Sequence, residues 1–331
     1  MINTTFRRVI CALLAIVCIL SFTACNKKIT DNEVNVENLD IKNEDVVLII
    51  DGNPVDYEEY RYFYLNTKND MDAGDESFWS ENPEKEAELK DKALTTLSIF
   101  YALYNLANEY EVAVSEEDRA NIDASVQSTL DSDQKEDFLS FLESIHTNVD
   151  YYKKICEFSY LEYDLFEKLS AEGVIAATTE EVTDLLMGDD YVRVMHILYA
   201  DEAKAKEILP TAKEATDEEF YALAQDAEDP GMIGNTDGYY FTYGVMIPEF
   251  EEASFALKDG ETSDLVYGSY GYHIIRRLPK SVDYIEANAA SFSGDIVQRK
   301  YIDFVENKAD ELKENAKFEA VYERITATNA K

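Results

Sequence analysis

The sequence predicts an α+β chain in which a mostly helical module is interrupted by a compact inserted unit, a small sheet flanked by helices. Three observations lead there. Leu94, Leu97, Tyr101, Tyr104 and Leu106 recur at near-helical spacing between Glu84 and Tyr110, the mark of a long helix with one core-facing stripe. From Tyr191 to Lys280 short aliphatic and aromatic runs alternate with helical stretches and Gly/Pro turns. After Lys280 the pattern is helical again, from about Tyr284 to Thr326, and one economical arrangement packs this tail on the first module.

Residues 1–24 read as a targeting segment. Arg7 and Arg8 form a positive start, Val9 to Phe22 is uncharged and mostly apolar, and Thr23-Ala24 precede Cys25. This order resembles a bacterial lipoprotein signal, cleaved before a cysteine that then carries lipid. Two alternatives stay open: a retained transmembrane helix, for which the uncharged run is only just long enough, and a secretory signal with a free Cys25. Residues 25–43, rich in Asn and Asp, read as a tether. Cys11 and Cys18 leave with the signal and Cys25 is blocked by lipid, so Cys156 has no intramolecular partner. Its helical context, Tyr151-Tyr-Lys-Lys-Ile-Cys-Glu-Phe, suits a small core residue better than a nucleophile.

Residues 44–188 form the first domain. Val46 to Val55 reads as a strand entering a turn at Gly52-Asn53-Pro54. Tyr57 to about Asn69 is helical, and Phe78 to Pro83 is an irregular break holding Trp79. Ser115-Glu-Glu-Asp118 resembles a capping box opening the next helix; helical patterns follow over Lys135–Ser144 and Asp150–Ser170. Thr179-Glu-Glu-Val182 starts a linking helix that ends at Gly188-Asp-Asp190. Residues 189–280 form the inserted unit: a strand over Tyr191–Tyr199, helices over Asp201–Ala212 and from the capping box Thr216-Asp-Glu-Glu219 to Gln225, a loop to Asp237, and an aromatic strand Gly238–Tyr243. A helix begins at Pro248, which suits a first turn, and Gly268-Ser-Tyr-Gly271 joins strands Leu265–Tyr267 and Tyr272–Leu278. Residues 281–331 complete the chain.

Composition narrows the function. The 331 residues allow one to three domains, and 46% hydrophobic and 12% aromatic residues suffice for packed cores. With 68 acidic against 30 basic residues the net charge is -38, which excludes a nucleic-acid partner because phosphate binding needs a basic face. The acidity itself reads as a solvated surface. No metal or cofactor motif is present; His146 lies apart from the other two histidines.

Those two histidines carry the chemistry. Val194-Met-His-Ile-Leu198 and Gly271-Tyr-His-Ile-Ile275 place His196 and His273 in matched strand-like runs, on either side of Met246-Ile-Pro-Glu-Phe-Glu-Glu-Ala-Ser-Phe-Ala-Leu257. Alone, each histidine would more often be a satisfied core group. Together and in this order, the three motifs resemble a parvulin-type peptidyl-prolyl isomerase domain. The flanking helices and lipoprotein-like signal resemble PrsA-type extracytoplasmic foldases, relatives of the SurA chaperones. The resemblance implies adjacent strands for His196 and His273, with a shared hydrogen bond, and a place for Asp229 near the substrate carbonyl. It implies a proline pocket with Met246 and Phe250 as floor and wall and Phe241 beside them, and it puts Tyr270 among the substrate-facing positions. Met246 and Phe250, four apart, also fit plain helix packing, and Asp229 before Pro230 also fits plain turn chemistry. The sequence departs from the family where Asn235-Thr-Asp-Gly-Tyr-Tyr-Phe241 replaces a Gly-Asp-Leu-Gly pattern, leaving Gly238 nearest the pocket leucine. It departs again where Gly268 and Tyr270 replace small hydroxyl residues. Tyr199-Ala-Asp201 lacks the basic residues of phospho-specific parvulins.

The expected function is a lipid-anchored folding factor on the extracytoplasmic face of the cell membrane. A helical chaperone domain would hold proline-containing, newly exported or unfolded polypeptides while the parvulin-like domain isomerises their X-Pro bonds without a cofactor. The helical domain is compatible with a homodimer. The alternatives are a holdase whose parvulin module has lost turnover and a solute-binding lipoprotein; the latter needs alternating strands and helices over two lobes, which the helical first half lacks.

Overall fold

The computed structural model describes residues 41–75 and 77–330. The expected signal segment 1–24, Cys25 and all but the end of the tether 25–43 lie outside the described residues. The chain divides into two compact units, one formed by the residues up to Ile175 with Arg299–Lys331, the other by Ala176–Gln298.

The first unit opens on a hairpin. β1 (Val46–Ile50) and β2 (Asn53–Asp56) pair antiparallel with Ile50 opposite Asn53. The two-residue loop Asp51-Gly52 has φ of 50° and 77°, the left-handed geometry that matches the twist of a hairpin. The turn therefore lies earlier than Gly52-Asn53-Pro54, and Pro54 sits in β2, an edge strand, where its missing N–H is tolerated. Asp56 caps α1 (Tyr57–Asp72) by accepting from the Glu59 N–H. The expected break contains α2 (Phe78–Glu81) and a 3-10 turn, Pro83–Lys85. Trp79 is buried there, and its indole N–H donates to Asp72 at 2.7 Å. α3 (Glu86–Glu109) starts after that turn; of its expected stripe Leu94, Leu97 and Leu106 are buried and the two tyrosines are half-buried. Ser115 caps α4 (Glu116–Leu130), which α5 (Lys135–Ser144) and α6 (Val149–Ala171) follow. Phe158 of α6 stacks on Phe100 of α3 with centroids 4.0 Å apart. Burying each such ring contributes about 1.5–3 kcal/mol. Cys156 is half-buried on α6, and burial pushes its thiol up, away from nucleophile behaviour.

The second unit begins with α7 (Thr179–Met187), opened by a full capping box of Thr178 and Glu181. Then come β3 (Tyr191–Tyr199), α8 (Glu202–Glu214), and α9 (Asp217–Gln225), which has its own capping box at Thr216 and Glu219. β4 (Tyr239–Thr242), α10 (Pro248–Ala256), β5 (Val266–Gly268) and β6 (Gly271–Leu278) complete an antiparallel sheet in the order β4-β3-β6-β5. One face carries Met195, Ile197, Ile274 and Leu278 against Ala212, Phe220 and Ala224 of α8 and α9. The opposite face carries Val192, Val194 and Ile275 against Phe241 and Phe250. Strict alternation along β3 and β6 produces this two-sided burial. α11 (Val282–Ala287) and α12 (Ala289–Phe292) follow. Val182, Leu186, Ile285 and Ile296 share one cluster, so this unit extends beyond residues 189–280 on both sides.

The continuous helix expected from Tyr284 to Thr326 is interrupted. Asn288 ends α11, its side chain donating to the Tyr284 carbonyl at 2.8 Å. α13 (Gly294–Glu314) is the one long helix, β7 (Lys317–Phe318) pairs with β1, and α14 (Ala320–Arg324) follows. The first unit thus holds a three-stranded sheet, β2-β1-β7, closed by residues far apart in sequence. Tyr301, Val305, Ala309 and Leu312 of α13 are buried at helical spacing, and the Tyr301 hydroxyl donates to the Glu162 carbonyl at 3.3 Å. Among the described residues no helix is long and apolar enough to cross a membrane.

Candidate active site

The register of β3 and β6 brings the two histidines together. Ile275 lies opposite His196, and His273 lies opposite Leu198. Opposed residues of an antiparallel pair share a face, as do residues two apart, so the imidazoles are diagonal neighbours on one face. Their Nδ1 atoms are 3.1 Å apart, and the rings lie at 27° with centroids 5.2 Å apart. Both side chains are buried.

Asp229 arrives from the loop after α9. It caps the 3-10 turn Pro230–Met232, its Oδ1 accepting from the Gly231 N–H at 3.1 Å. The residue that caps the turn also faces the histidines: its other oxygen, Oδ2, lies 2.7 Å from His196 Nε2 and 2.8 Å from the Tyr239 hydroxyl. The His196 hydrogen bond, helped by those from Tyr239 and Gly231 and opposed by burial, holds the Asp229 carboxyl well below the usual carboxylate range. Burial first, and the neighbouring His196 second, push His273 down to about 4, with Asp229 partly opposing. Burial and the Asp229 carboxylate push the Tyr239 phenol up.

Acceptor chemistry assigns the protons. A carboxylate only accepts, so His196 carries hydrogen on Nε2. With that ring neutral its Nδ1 is a lone pair, and His273 donates to it from Nδ1. The chain runs from His273 through His196 to Asp229.

Phe250 of α10 presents its ring at centroid distances of 5.1 Å from His196 and 5.2 Å from His273, edge-on to both. Phe241 lies 5.9 Å from Phe250, and Met246 is half-buried against the same cluster. Met246 and Phe250 therefore both pack as core residues, and Phe250 also lies against the histidine pair. Tyr270 stands apart: it is 70% exposed on the β5–β6 turn and makes no hydrogen bond or ring contact with the pair. Gly238 has φ of 70°, and a Cβ there would meet the Val194 carbonyl oxygen at 2.3 Å, so this position has no room for a pocket leucine. Tyr239 was not singled out by the sequence. The available signal is its register: it pairs with Val194, two residues before His196 and on the same face. Cys25 lies outside the described residues.

The arrangement offers a hydrogen-bonded histidine pair, one anchored carboxylate and an aromatic wall. It suits electrostatic stabilisation of a substrate carbonyl beside an apolar surface.

Residues 199–278 match the Rotamase family, the PPIC-type PPIASE domain; the matched span includes Asp229, Phe250 and His273 and starts three residues after His196. The chain is similar to the foldase protein PrsA of Caldanaerobacter subterraneus subsp. tengcongensis, 25% identical over 300 residues, 85% of this chain and 89% of that protein. It is 40% identical over 125 residues to the foldase protein PrsA of Geobacillus kaustophilus, covering 36% of this chain and less than half, 43%, of that relative. Among solved structures, the parvulin NmPin of Nitrosopumilus maritimus is 33% identical over 27% of this chain and 97% of its own, with a TM-score of 0.25. The second unit of this chain thus carries a PPIC-type peptidyl-prolyl isomerase domain of the parvulin kind, within a chain similar to PrsA foldases.

Proposed function

We propose that this protein is an extracytoplasmic folding factor, anchored by lipid on Cys25, that isomerises X-Pro bonds in exported polypeptides, with His196, Asp229 and His273 as its central polar residues. The observation that carries the site assignment is the unbroken line from His273 to His196 to Asp229, with spacings of 3.1 Å and 2.7 Å, set against Phe250. Rotating an amide forfeits its resonance against a barrier of roughly 18–20 kcal/mol. The twisted amide is less charge-separated than the planar one, so an apolar wall favours it. The hydrogen-bonded histidine line fixes the polarity near the carbonyl without making or breaking a bond, and each factor of ten in rate needs about 1.4 kcal/mol of such preference. Met246, Phe241 and Phe250 are read as the proline wall. The exposed Tyr270 is read as a contact for residues beside the proline, since amphipathic aromatics suit adaptable contacts.

The test is a proline-peptide isomerisation assay on the full chain. Turnover that falls in His196→Ala and Asp229→Ala, with suppression of client aggregation retained, supports the reading; an unmutated protein without turnover overturns it. That second outcome would favour a holdase, the reading that Gly238 and Tyr270 motivate by departing from the parvulin pattern. Loss of membrane association in Cys25→Ser tests the anchor.

A further inference from the structure

One polar atom of the site is unused by the hydrogen-bonded line. His273 is 4% exposed, and its Nε2 is buried with no hydrogen-bond partner among the described residues. A Cβ built on Gly268 would lie 3.7 Å from that nitrogen, within easy reach for a serine hydroxyl. The same Cβ would meet Ile247 Cδ1 at 2.3 Å. The aliphatic end of Ile247 therefore fills the space a side chain at 268 would take.

Proton counting shows what this nitrogen controls. The neutral pair holds two ring protons, one on His196 Nε2 committed to Asp229 and one shared along the Nδ1–Nδ1 line. Whichever ring carries the charge, a third proton has one nitrogen left to occupy, His273 Nε2. An N–H there would be buried without an acceptor, which is costly. The groups facing the pair are Asp229 from the loop and Tyr239 from β4; α10 presents the Phe250 ring, and β5 presents the uncharged Gly268.

We propose that Gly268 and Ile247 are positioning residues that seal the single proton-accepting atom of the histidine pair, holding both rings neutral and in fixed tautomers throughout the pH range in which the domain works. Gly268 withholds an acceptor and Ile247 withholds water. The isomerase site then presents one unchanging electrostatic face to the substrate carbonyl, independent of external pH.

The experiment is an imidazole nitrogen NMR titration of the full chain, read without turnover, so its outcome is separable from that of the isomerase assay. In the unmutated protein neutral His273 is expected to carry hydrogen on Nδ1 and to stay unprotonated through pH 5. The pair G268S/I247V and G268A/I247V has the same added Cβ and the same relieved contact, and differs by one hydroxyl. The serine form is expected to take up its third proton about one to two pH units above the alanine form, the effect of one hydrogen bond to a charged group. Where a Cβ at 268 perturbs the fold, Ile247→Ala admits water without touching the backbone and is expected to move the titration in the same direction. His273 carrying its neutral proton on Nε2, an ordinary titration near about 6.5 in the unmutated protein, or coincident curves for the serine and alanine forms each overturn the proposal.

Discussion

Replacing Asp229 by Asn is the sharpest test of how the polar line works. The carboxylate accepts three hydrogen bonds: from His196 and Tyr239 on one oxygen, and from Gly231 on the other. An amide of the same shape has one acceptor oxygen. Facing it towards His196 and Tyr239 sets its NH2 against the Gly231 N–H, donor against donor, and flipping it sets the NH2 against the His196 N–H instead, while the Tyr239 hydroxyl can turn to accept. In the better orientation two charge-assisted bonds become neutral, at about 1 kcal/mol each, and one is lost, at about 1 kcal/mol more. The total of about 3 kcal/mol corresponds to roughly a hundredfold fall in kcat/KM if it is felt fully in the transition state. Proline-peptide isomerisation gives the rate and urea unfolding gives the share expressed as stability. The pH dependence has a definite sign. The depressed Asp229 contributes stability above its ordinary unfolded value, and this is lost as pH falls through the still lower folded value. Asp229→Asn should therefore be less stable than the unmutated protein at neutral pH, with the gap closing in strong acid. An Asn form with unchanged kcat/KM and unchanged stability at pH 7 would refute the reasoning.

Other expectations follow from neighbouring contacts. Tyr239→Phe removes one of the three donors to Asp229 and is expected to lower kcat/KM about tenfold in the same assay, the effect of about 1.5 kcal/mol. Phe250→Ala empties the wall beside both histidines and should cost about 3–5 kcal/mol of stability in urea melts. In the first unit, burial raises the Glu162 carboxyl to about 7. Its contribution to stability is present below about pH 4.5 and is lost as pH rises through 7. Glu162→Gln should therefore be stabilising at pH 8 by about 3 kcal/mol and neutral at pH 4, as read by denaturant midpoints.

The strands bearing the histidines were legible because β-branched and aliphatic runs bounded by Gly mark them locally, and the box at Thr216 marked a helix whose end, Gln225, is also the observed one. Elements made by distant pairing were not legible. β7 has two exposed residues and exists only because β1 offers them an edge, and the same C-terminal stretch reads locally as helix. The extent of the second compact unit is non-local in the same way: α7 and α11 each bury one narrow stripe, and only their mutual contact joins both to it. Asp229 also fitted plain turn chemistry in the sequence, and its two oxygens divide the contacts, one on the Gly231 N–H and one on His196. Tyr239 was passed over because a tyrosine in an aromatic strand signals packing until its hydroxyl has an acceptor.

By itself, the sequence determined the α+β class, the strand placement of His196 and His273, and the helix that begins at Pro248. These depend on periodicity and turn chemistry, which act over a few residues. Tertiary structure decided the rest: that both rings share one face, that Asp229 and Tyr239 converge on them, and that Ile247 occupies the space beside Gly268 and His273 Nε2. Those facts depend on strand register and loop closure, where a shift of one residue would turn each side chain to the opposite face.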